Sequence, residues 1–227
     1  SSVACNHWIV RGGEEKMRNF ASYLKRALIL TLILLLCCSV IYPLALTGLG
    51  QLLFPKQANG NLIEVDGKAV GSELVGQDFT GDQYFQGRIS SVNYNTYTEE
   101  EKEDGTYGGV SSGSFNYAPT NEDLKARVEE DVAKFKERYK EATGDEFTGE
   151  IPADLLTASG SGLDPHISPK SAEIQIPIIV SNSGLTEEQV NEIIKENTEH
   201  KILGIFGEEK VNVLKCNIAI AKAMGEI

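Results

Sequence analysis

The sequence is poor in the residues that bind metals or form disulfides. Its 227 residues include four cysteines, at positions 5, 37, 38 and 216, and three histidines. The cysteines have neither zinc-ligand spacing nor the pattern of a disulfide framework, and no histidine pair has helical ligand spacing. We therefore expect neither a metal site nor a disulfide-stapled scaffold.

Basic residues are also in short supply. Lys and Arg number 21 against 33 Asp and Glu, a formal net charge of −12. A nucleic-acid partner requires a basic surface that neutralises phosphates, so we expect none. Apolar residues make up 41% of the chain, which excludes a disordered protein, and the length allows a hydrophobic core in one or two domains.

One segment contains no charged residue at all. From Arg26 to Lys56 there are 29 uncharged residues. As a helix they are about 43 Å long, whereas the hydrocarbon core of a bilayer is about 30 Å thick. A cleaved signal peptide is the alternative, but its apolar region is shorter and ends at a small-x-small site, which Ala45-Leu46-Thr47 matches poorly. We predict a retained transmembrane helix over residues 27–54.

The distribution of charge predicts the orientation of that helix. Residues 1–26 carry five basic and two acidic groups, whereas residues 56–227 carry sixteen and thirty-one. By the positive-inside rule, residues 1–26 form a cytoplasmic arm and residues 55–227 an extracytoplasmic domain at the plasma membrane. Met17 follows Arg11–Lys16, a stretch that purine-rich codons would encode, as they would a translated ribosome-binding site. We therefore hypothesise that residues 1–16 are an upstream over-extension of the reading frame and not native. The alternative is an ordinary cytoplasmic arm.

The outer half of the predicted span is rich in small residues and helix-perturbing residues. They are Pro43, Thr47, Gly48 and Gly50. Small residues let helices approach closely in lipid. We predict that this stretch packs against a partner helix as well as tethering the domain.

The remaining chain mixes helical and strand patterns without a regular βαβ rhythm, which predicts an α+β domain. One helix is predicted from Asn121 to Gly144, with an apolar stripe of Leu124, Val128, Val132, Phe135 and Tyr139. A second is predicted from Ser168, with a kink or stop at Pro177. A third is predicted from Thr186, with Val190, Ile193 and Ile194 facing inward. Strands are predicted at residues 62–67, ending in an Asp-Gly turn, 69–75 and 214–220, with 176–180 either helix or strand and 99–114 a long surface loop.

The densest cluster of polar and turn residues lies between Thr157 and Pro169. Ser159 or Ser161 with Asp164 and His166 are the residue types of a hydrolase triad, but the sequence has no G-x-S-x-G elbow. The alternative is a rigid, capped loop that forms a contact surface, since tight turns alone account for its glycines and prolines. We favour the loop, predict no catalytic residue, and expect Asp164 to brace the turn with His166 at the surface.

Two further segments were considered as ligand sites. The glycines of residues 105–114 lack the lysine and spacing of a phosphate-binding loop. The acidic run Glu99–Asp104 either attracts cations, potassium included, or is a solvated loop, and we favour the loop because exposed charges are screened.

The order of several motifs resembles the KdpC family, the C chain of the potassium-transporting P-type ATPase. The motifs are Val70–Phe79, Tyr84–Ser91, Pro119–Asn121, Ile151–Pro169 and Gly207–Leu214. The chain departs from the family pattern at Ile89 and at Glu209, where the family pattern has proline. It also has an acidic insertion near residues 99–104. None of these departures lies in the longest motif.

The resemblance implies a non-catalytic subunit of a high-affinity potassium uptake pump. Its partners would be a potassium-binding A chain, an ATP-hydrolysing B chain and a small F peptide, and it would act as a catalytic chaperone that raises the ATP affinity of the B chain. No cofactor would bind this chain alone; ATP enters through the B chain, and potassium is the transported ion. The alternatives are a membrane-anchored extracellular binding module and a serine hydrolase unrelated to transport.

The matched motifs also supply candidates for partner contacts. They are Gln77, Tyr84, Phe85, Arg88, Asn121, Ser159, Gly160, Ser161, Gly162, Asp164 and His166.

Overall fold

The computed structural model describes residues 2–106 and 108–227, and for residues 2–18 it describes the backbone alone. Within this part the chain divides into two compact units that meet between Asn59 and Gly60. The hypothesis that residues 1–16 are not native concerns Ser1 and side chains that lie outside the described part of the chain.

The N-terminal unit is helical. It comprises α1 (Ser2–Leu36), a π-helical turn (Cys37–Ile41), α2 (Tyr42–Leu53) and α3 (Pro55–Ala58). Just before Pro43 the helical hydrogen bonds span five residues instead of four, and the Tyr42 N–H donates to the Cys37 carbonyl. Proline has no N–H and its ring clashes with the carbonyl four residues earlier, so the wider turn accommodates it.

This unit contains one helix, residues 19–53, that is long and apolar enough to cross a membrane. Its large apolar side chains are exposed along the whole length, as Leu32 and Leu52 illustrate at 64% and 76%. In water this exposure would be unfavourable, whereas lipid solvates such side chains.

The second unit begins with a hairpin of β1 (Leu62–Val65) and β2 (Lys68–Ser72). Asp66 and Gly67 form its turn with φ values of 51° and 73°, as the Asp-Gly pair predicts.

The rest of the unit is built, within the described residues, from seven α-helices, one short 3-10 helix (Asn93–Asn95) and three short strands. The α-helices and strands are α4 (Glu99–Glu103), α5 (Glu122–Thr143), α6 (Ala153–Leu156), β3 (His166–Ile167), α7 (Pro169–Glu173), α8 (Ile176–Ser183), α9 (Glu187–Glu196), β4 (Thr198–Glu199), β5 (Lys210–Asn212) and α10 (Val213–Met224). Strand β5 is the centre of an antiparallel sheet of order β3-β5-β4. The unit is α+β, as predicted.

The three predicted helix starts are confirmed by their caps. Asn121 accepts a hydrogen bond from the Leu124 N–H at 3.0 Å, and Ser168 accepts one from the Ser171 N–H at 3.1 Å. Thr186 and Gln189 form a capping box. Pro177 lies in the first turn of α8, where a helix does not need a backbone N–H donor, and so it separates α8 from α7.

Two predictions were wrong. Residues 214–220 are helical, because Asn212 caps α10 and the buried positions Val213, Cys216, Asn217 and Ile220 follow a helical period. The alternation that suggested a strand counted Asn217 as exposed, yet it is buried. The acidic end of the 99–114 loop is a short helix, α4, which Thr98 and Glu101 close as a capping box.

The core lies between α7, α8, α9, α10 and β5. Its members include Ile167, Ala172, Ile176, Ile179, Val190, Val211, Cys216 and Ile220, and it also takes in Phe85 from an irregular segment. Phe85 has no exposed surface. Its backbone therefore needs internal hydrogen-bond partners, since a buried unpaired peptide group is unfavourable.

Two buried carboxamides supply those partners. The Asn217 Oδ1 accepts from the Phe85 N–H at 2.8 Å, and its Nδ2 donates to the Phe85 carbonyl at 2.9 Å. Gln175 does the same for Gln86, accepting from its N–H at 2.8 Å and donating to its carbonyl at 3.2 Å. We call this arrangement the amide clamp; it binds the irregular segment as a neighbouring strand would.

We predict that Asn217→Ala lowers the free energy of unfolding by about 2–5 kcal/mol, because it leaves two buried backbone groups unpaired. Exposed Asn191, which bonds only the Glu187 carbonyl one turn back, provides a matched control, and Asn191→Ala is expected to change the free energy by less than about 0.5 kcal/mol. Chemical denaturation in detergent, followed by circular dichroism, measures both. Equal stabilities of the two variants would contradict the clamp.

Candidate functional site

The segment of residues 151–169 is closed into a loop by Asp154. Its two carboxylate oxygens accept hydrogen bonds from the Ser168 N–H at 2.7 Å, the Ser168 hydroxyl at 3.1 Å and the Ser171 hydroxyl at 2.6 Å. The start of the segment is thereby joined to the cap of α7. Sequence reasoning did not single out Asp154, because its partners are fourteen and seventeen residues away.

The middle of this segment is held by residues 76–94. The Gly76 N–H donates to the Leu163 carbonyl at 2.8 Å, and the Ser159 N–H donates to the Ile89 carbonyl at 3.1 Å. The Ser90 hydroxyl donates to the Gly162 carbonyl at 2.6 Å. These hydrogen bonds fix the segment in place, which agrees with the predicted rigid, capped loop.

The two candidate nucleophiles, Ser159 and Ser161, both stabilise turns of the segment. The Ser159 Oγ accepts from the Gly162 N–H at 2.8 Å, and the Ser161 Oγ accepts from the Leu163 N–H at 3.1 Å. Ser159 is buried, whereas Ser161 and Gly160 are exposed. A hydrolase requires its nucleophile within hydrogen-bond reach of the base, and the partners of His166 are two carboxylates instead.

Polar and charged side chains form a network of contacts beside the segment. Arg88 pairs with Asp164 at 3.1 Å, the His166 Nε2 lies 3.3 Å from Glu199, and Lys210 pairs with Glu199 at 3.0 Å. Asp164 also accepts from the His166 N–H at 3.0 Å, which braces the turn at Pro165 as expected. Ile167 points into the core, so His166 points to the opposite face of β3. It lies on the outer side, as expected, but with Asp164 and Glu199 beside it the His166 side chain is only 13% exposed.

Hydrogen bonds within this network of side chains keep Asp164 ionised. Partial burial by itself would raise the pKa of Asp164, but hydrogen bonds from His166 and Arg88 outweigh it and lower the pKa to about 2. Burial, together with the nearby carboxylates of Asp164 and Asp78, raises the pKa of Tyr94 to about 12. Neither group is poised to exchange protons near neutral pH, which argues for a structural network.

These side chains line an open groove of about 760 Å³. Its polar lining includes Arg88, Asp154, Asp164, His166, Glu199 and Lys210, and the Arg88 Nε is buried without a hydrogen-bond partner. No group of three or more His, Cys, Asp or Glu side chains among the described residues is arranged to hold a metal ion.

The remaining partner-contact candidates have internal contacts. Gln77 donates to the Val70 carbonyl at 2.8 Å, Tyr84 bonds Glu226, and Asn121 caps α5. Phe85 and Ser159 are buried, so their side chains cannot reach a partner in this conformation. Of the partner-contact candidates in the long motif, Gly160 and Ser161 are exposed.

We predict that Gly162→Val destabilises the protein by about 2 kcal/mol or more, because Gly162 has a φ of +70° and an added Cβ would lie 2.7 Å from Val92 and 2.9 Å from the Gly113 carbonyl. Gly160, two residues away, has no atom within 4 Å of an added Cβ. Thermal unfolding of Gly160→Val is therefore expected to match the parent, and a similar loss in both variants would refute the packing argument.

We also predict that Asp164→Asn destabilises the protein by about 1–2 kcal/mol at neutral pH, a value reduced for partial solvent screening. Since the folded-state pKa lies below its ordinary value of 3.8, the carboxylate stabilises the fold above about pH 4 and loses this effect as the pH falls towards 2. The gap in Tm between parent and variant should narrow over that range. Exposed Asp145→Asn is the control, and a gap independent of pH would contradict the assignment.

The described residues combine one helix that is long and apolar enough to cross a membrane with an α+β unit. A family model described as KdpC, K+-transporting ATPase, c chain, matches residues 24–222. The chain belongs to the KdpC family.

Relatives of similar length match most of the chain. A protein of Clostridium kluyveri is 53% identical over 92% of this chain and 98% of its own length. One of Clostridioides difficile is 52% identical over 90% and 99%, and one of Bacillus cereus (strain B4264) 42% identical over 92% and 99%. Each of these relatives is named potassium-transporting ATPase KdpC subunit.

Proposed function

We propose that this chain is a non-catalytic subunit of an ATP-driven, high-affinity potassium uptake pump. The observation that carries the proposal is the extent of the family match, which begins just before the uncharged run of residues 27–55 and ends within α10. The helix and the α+β unit therefore belong to the family as one chain. The anchored binding module remains the alternative from another class, and it differs in purifying without pump subunits.

In this proposal the helix of residues 27–54 spans the plasma membrane. Lys25 and Arg26 stand immediately before the uncharged run, and the acidic excess lies after it. This asymmetry favours a cytoplasmic arm at residues 1–26 and an extracytoplasmic domain at residues 55–227.

The proposed partners are a potassium-binding A chain, an ATP-hydrolysing B chain and a small F peptide. The role proposed for this chain is to stabilise their assembly and to raise the ATP affinity of the B chain. A tenfold gain in affinity requires preferential binding to the ATP-bound state by about 1.4 kcal/mol. Either the membrane helix couples to the B chain or the linkage is indirect, and neither route needs an ATP site on this chain.

The serine-hydrolase alternative gains no support from the geometry of its candidate residues. The Ser159 and Ser161 hydroxyls accept turn N–H groups, and His166 pairs with Glu199 and Asp164. These contacts support an accessory role for the segment.

The test is affinity purification of the tagged full chain from membranes of the native host in mild detergent. We expect the A and B chains to co-purify with the parent, and a weaker yield of both with Gly48→Leu. An added side chain at Gly48 meets nothing within 4 Å in this chain, so the loss would come from a partner helix. Leu49→Phe is the control, because Leu49 lies at least about 100° around α2 from Gly48 and from the other packing residues, Pro43, Thr47 and Gly50.

The same preparation tests the effect on ATP. Removing this chain from the pump should raise the half-saturating ATP concentration about tenfold. A parent chain that purifies without pump subunits would overturn the proposed function, and an unchanged ATP dependence would overturn the chaperone role alone.

A further inference from the structure

An exposed apolar tip projects between β4 and β5. It consists of residues 202–206, in which Ile202, Leu203, Ile205 and Phe206 are 71%, 85%, 77% and 62% exposed. Soluble surfaces expose single apolar side chains commonly, but four large ones within five residues indicate a contact surface. None of the four belongs to the core of the unit.

The conformation of the apolar tip is unfavourable for a solvated loop. Ile202 and Phe206 exchange backbone hydrogen bonds of 2.8 and 3.0 Å, which close a tight turn. Leu203 at its apex has a φ of 54°, a left-handed conformation that glycine or asparagine adopts more readily. Leu203 therefore does not stabilise the fold by burying its side chain, and its backbone conformation is one that leucine disfavours. Residues that conflict with local preference in this way are typical of functional sites.

The surroundings of the apolar tip are acidic. Ile202 and Phe206 also line the 760 Å³ groove, together with Asp154, Asp164, Glu199, Glu208 and Glu209. Arg88 and Lys210 pair with Asp164 and Glu199, and the His200 Nδ1 lies 2.8 Å from Glu209. Apart from its two histidines, the groove therefore has five carboxylates and two basic side chains, an acidic excess. An apolar centre with a polar, negatively charged border has the anatomy of a protein interface.

We propose that the apolar tip and the groove beside it form the docking surface for the external face of another pump subunit. The inference rests on the proposed function. The partner surface it fits is an apolar recess that receives Leu203 and Phe206, bordered by lysine or arginine side chains that face Glu208 and Glu209. Such charge complementarity speeds association and excludes wrong partners.

A bilayer fits this surface less well. Anionic headgroups repel the carboxylates that border the apolar tip, and a flat lipid surface leaves the groove unfilled. A protruding protein segment satisfies both the tip and the groove.

The test is photo-crosslinking in the assembled pump, with the full chain carrying p-benzoylphenylalanine in place of Leu203. Val110, which is 83% exposed on another loop, is the control position. We expect a covalent adduct with one pump subunit from position 203, in a yield about tenfold above that from position 110. Subunit retention should fall about tenfold for Leu203→Ser combined with Phe206→Ser, at an unchanged Tm, as for a binding hot spot.

The border is tested by charge reversal. Glu208→Lys should weaken retention of the subunits, whereas Glu129→Lys, at an exposed position of α5, should not. If both variants retain the subunits as the parent does, the charge complementarity is wrong.

The remaining outcomes separate the two proposals. An intact pump without a protein adduct at position 203, or with lipid adducts there, overturns this inference and leaves the proposed function standing. A parent chain that assembles with no pump subunit overturns both.

Discussion

The buried amide clamp is the interaction on which the α+β unit depends. Phe85 carries a wholly buried aromatic ring on a segment with no strand or helix of its own. Burial of a ring is favourable only if the peptide groups that accompany it are also satisfied. Asn217 on α10 and Gln175 at the start of α8 satisfy them, and so join two helices to the irregular segment.

The geometry of the long motif follows from this clamp. With Phe85 and Gln86 held, the residues after them reach the motif: Arg88 pairs with Asp164, the Ile89 carbonyl accepts from the Ser159 N–H, and Ser90 bonds Gly162. Asp154 closes the other side on Ser168. The serines, aspartates and histidine that suggest catalysis in the sequence thus stabilise one another and the turns between them.

Local patterns were predictable wherever a residue acts on its immediate neighbours. The caps at Asn121, Ser168 and Thr186, the Asp-Gly turn and the helix break at Pro177 were all confirmed, because each depends on a few adjacent residues. The strand predicted at residues 214–220 failed, since alternate apolar residues fit both periods and the polar residue among them, Asn217, turned out to be buried.

The sequence alone determined that the chain has one apolar run long enough for a membrane span, that the unit after it is acidic and α+β, and to which family it belongs. Composition, local spacing and linear motifs are sufficient for these properties. Only the tertiary structure decided that Phe85 lies in the core, that His166 lies between two carboxylates, and that residues 202–206 project outward. Such placements depend on partners far along the chain: Asn217 lies 132 residues from Phe85, and no local pattern encodes that separation.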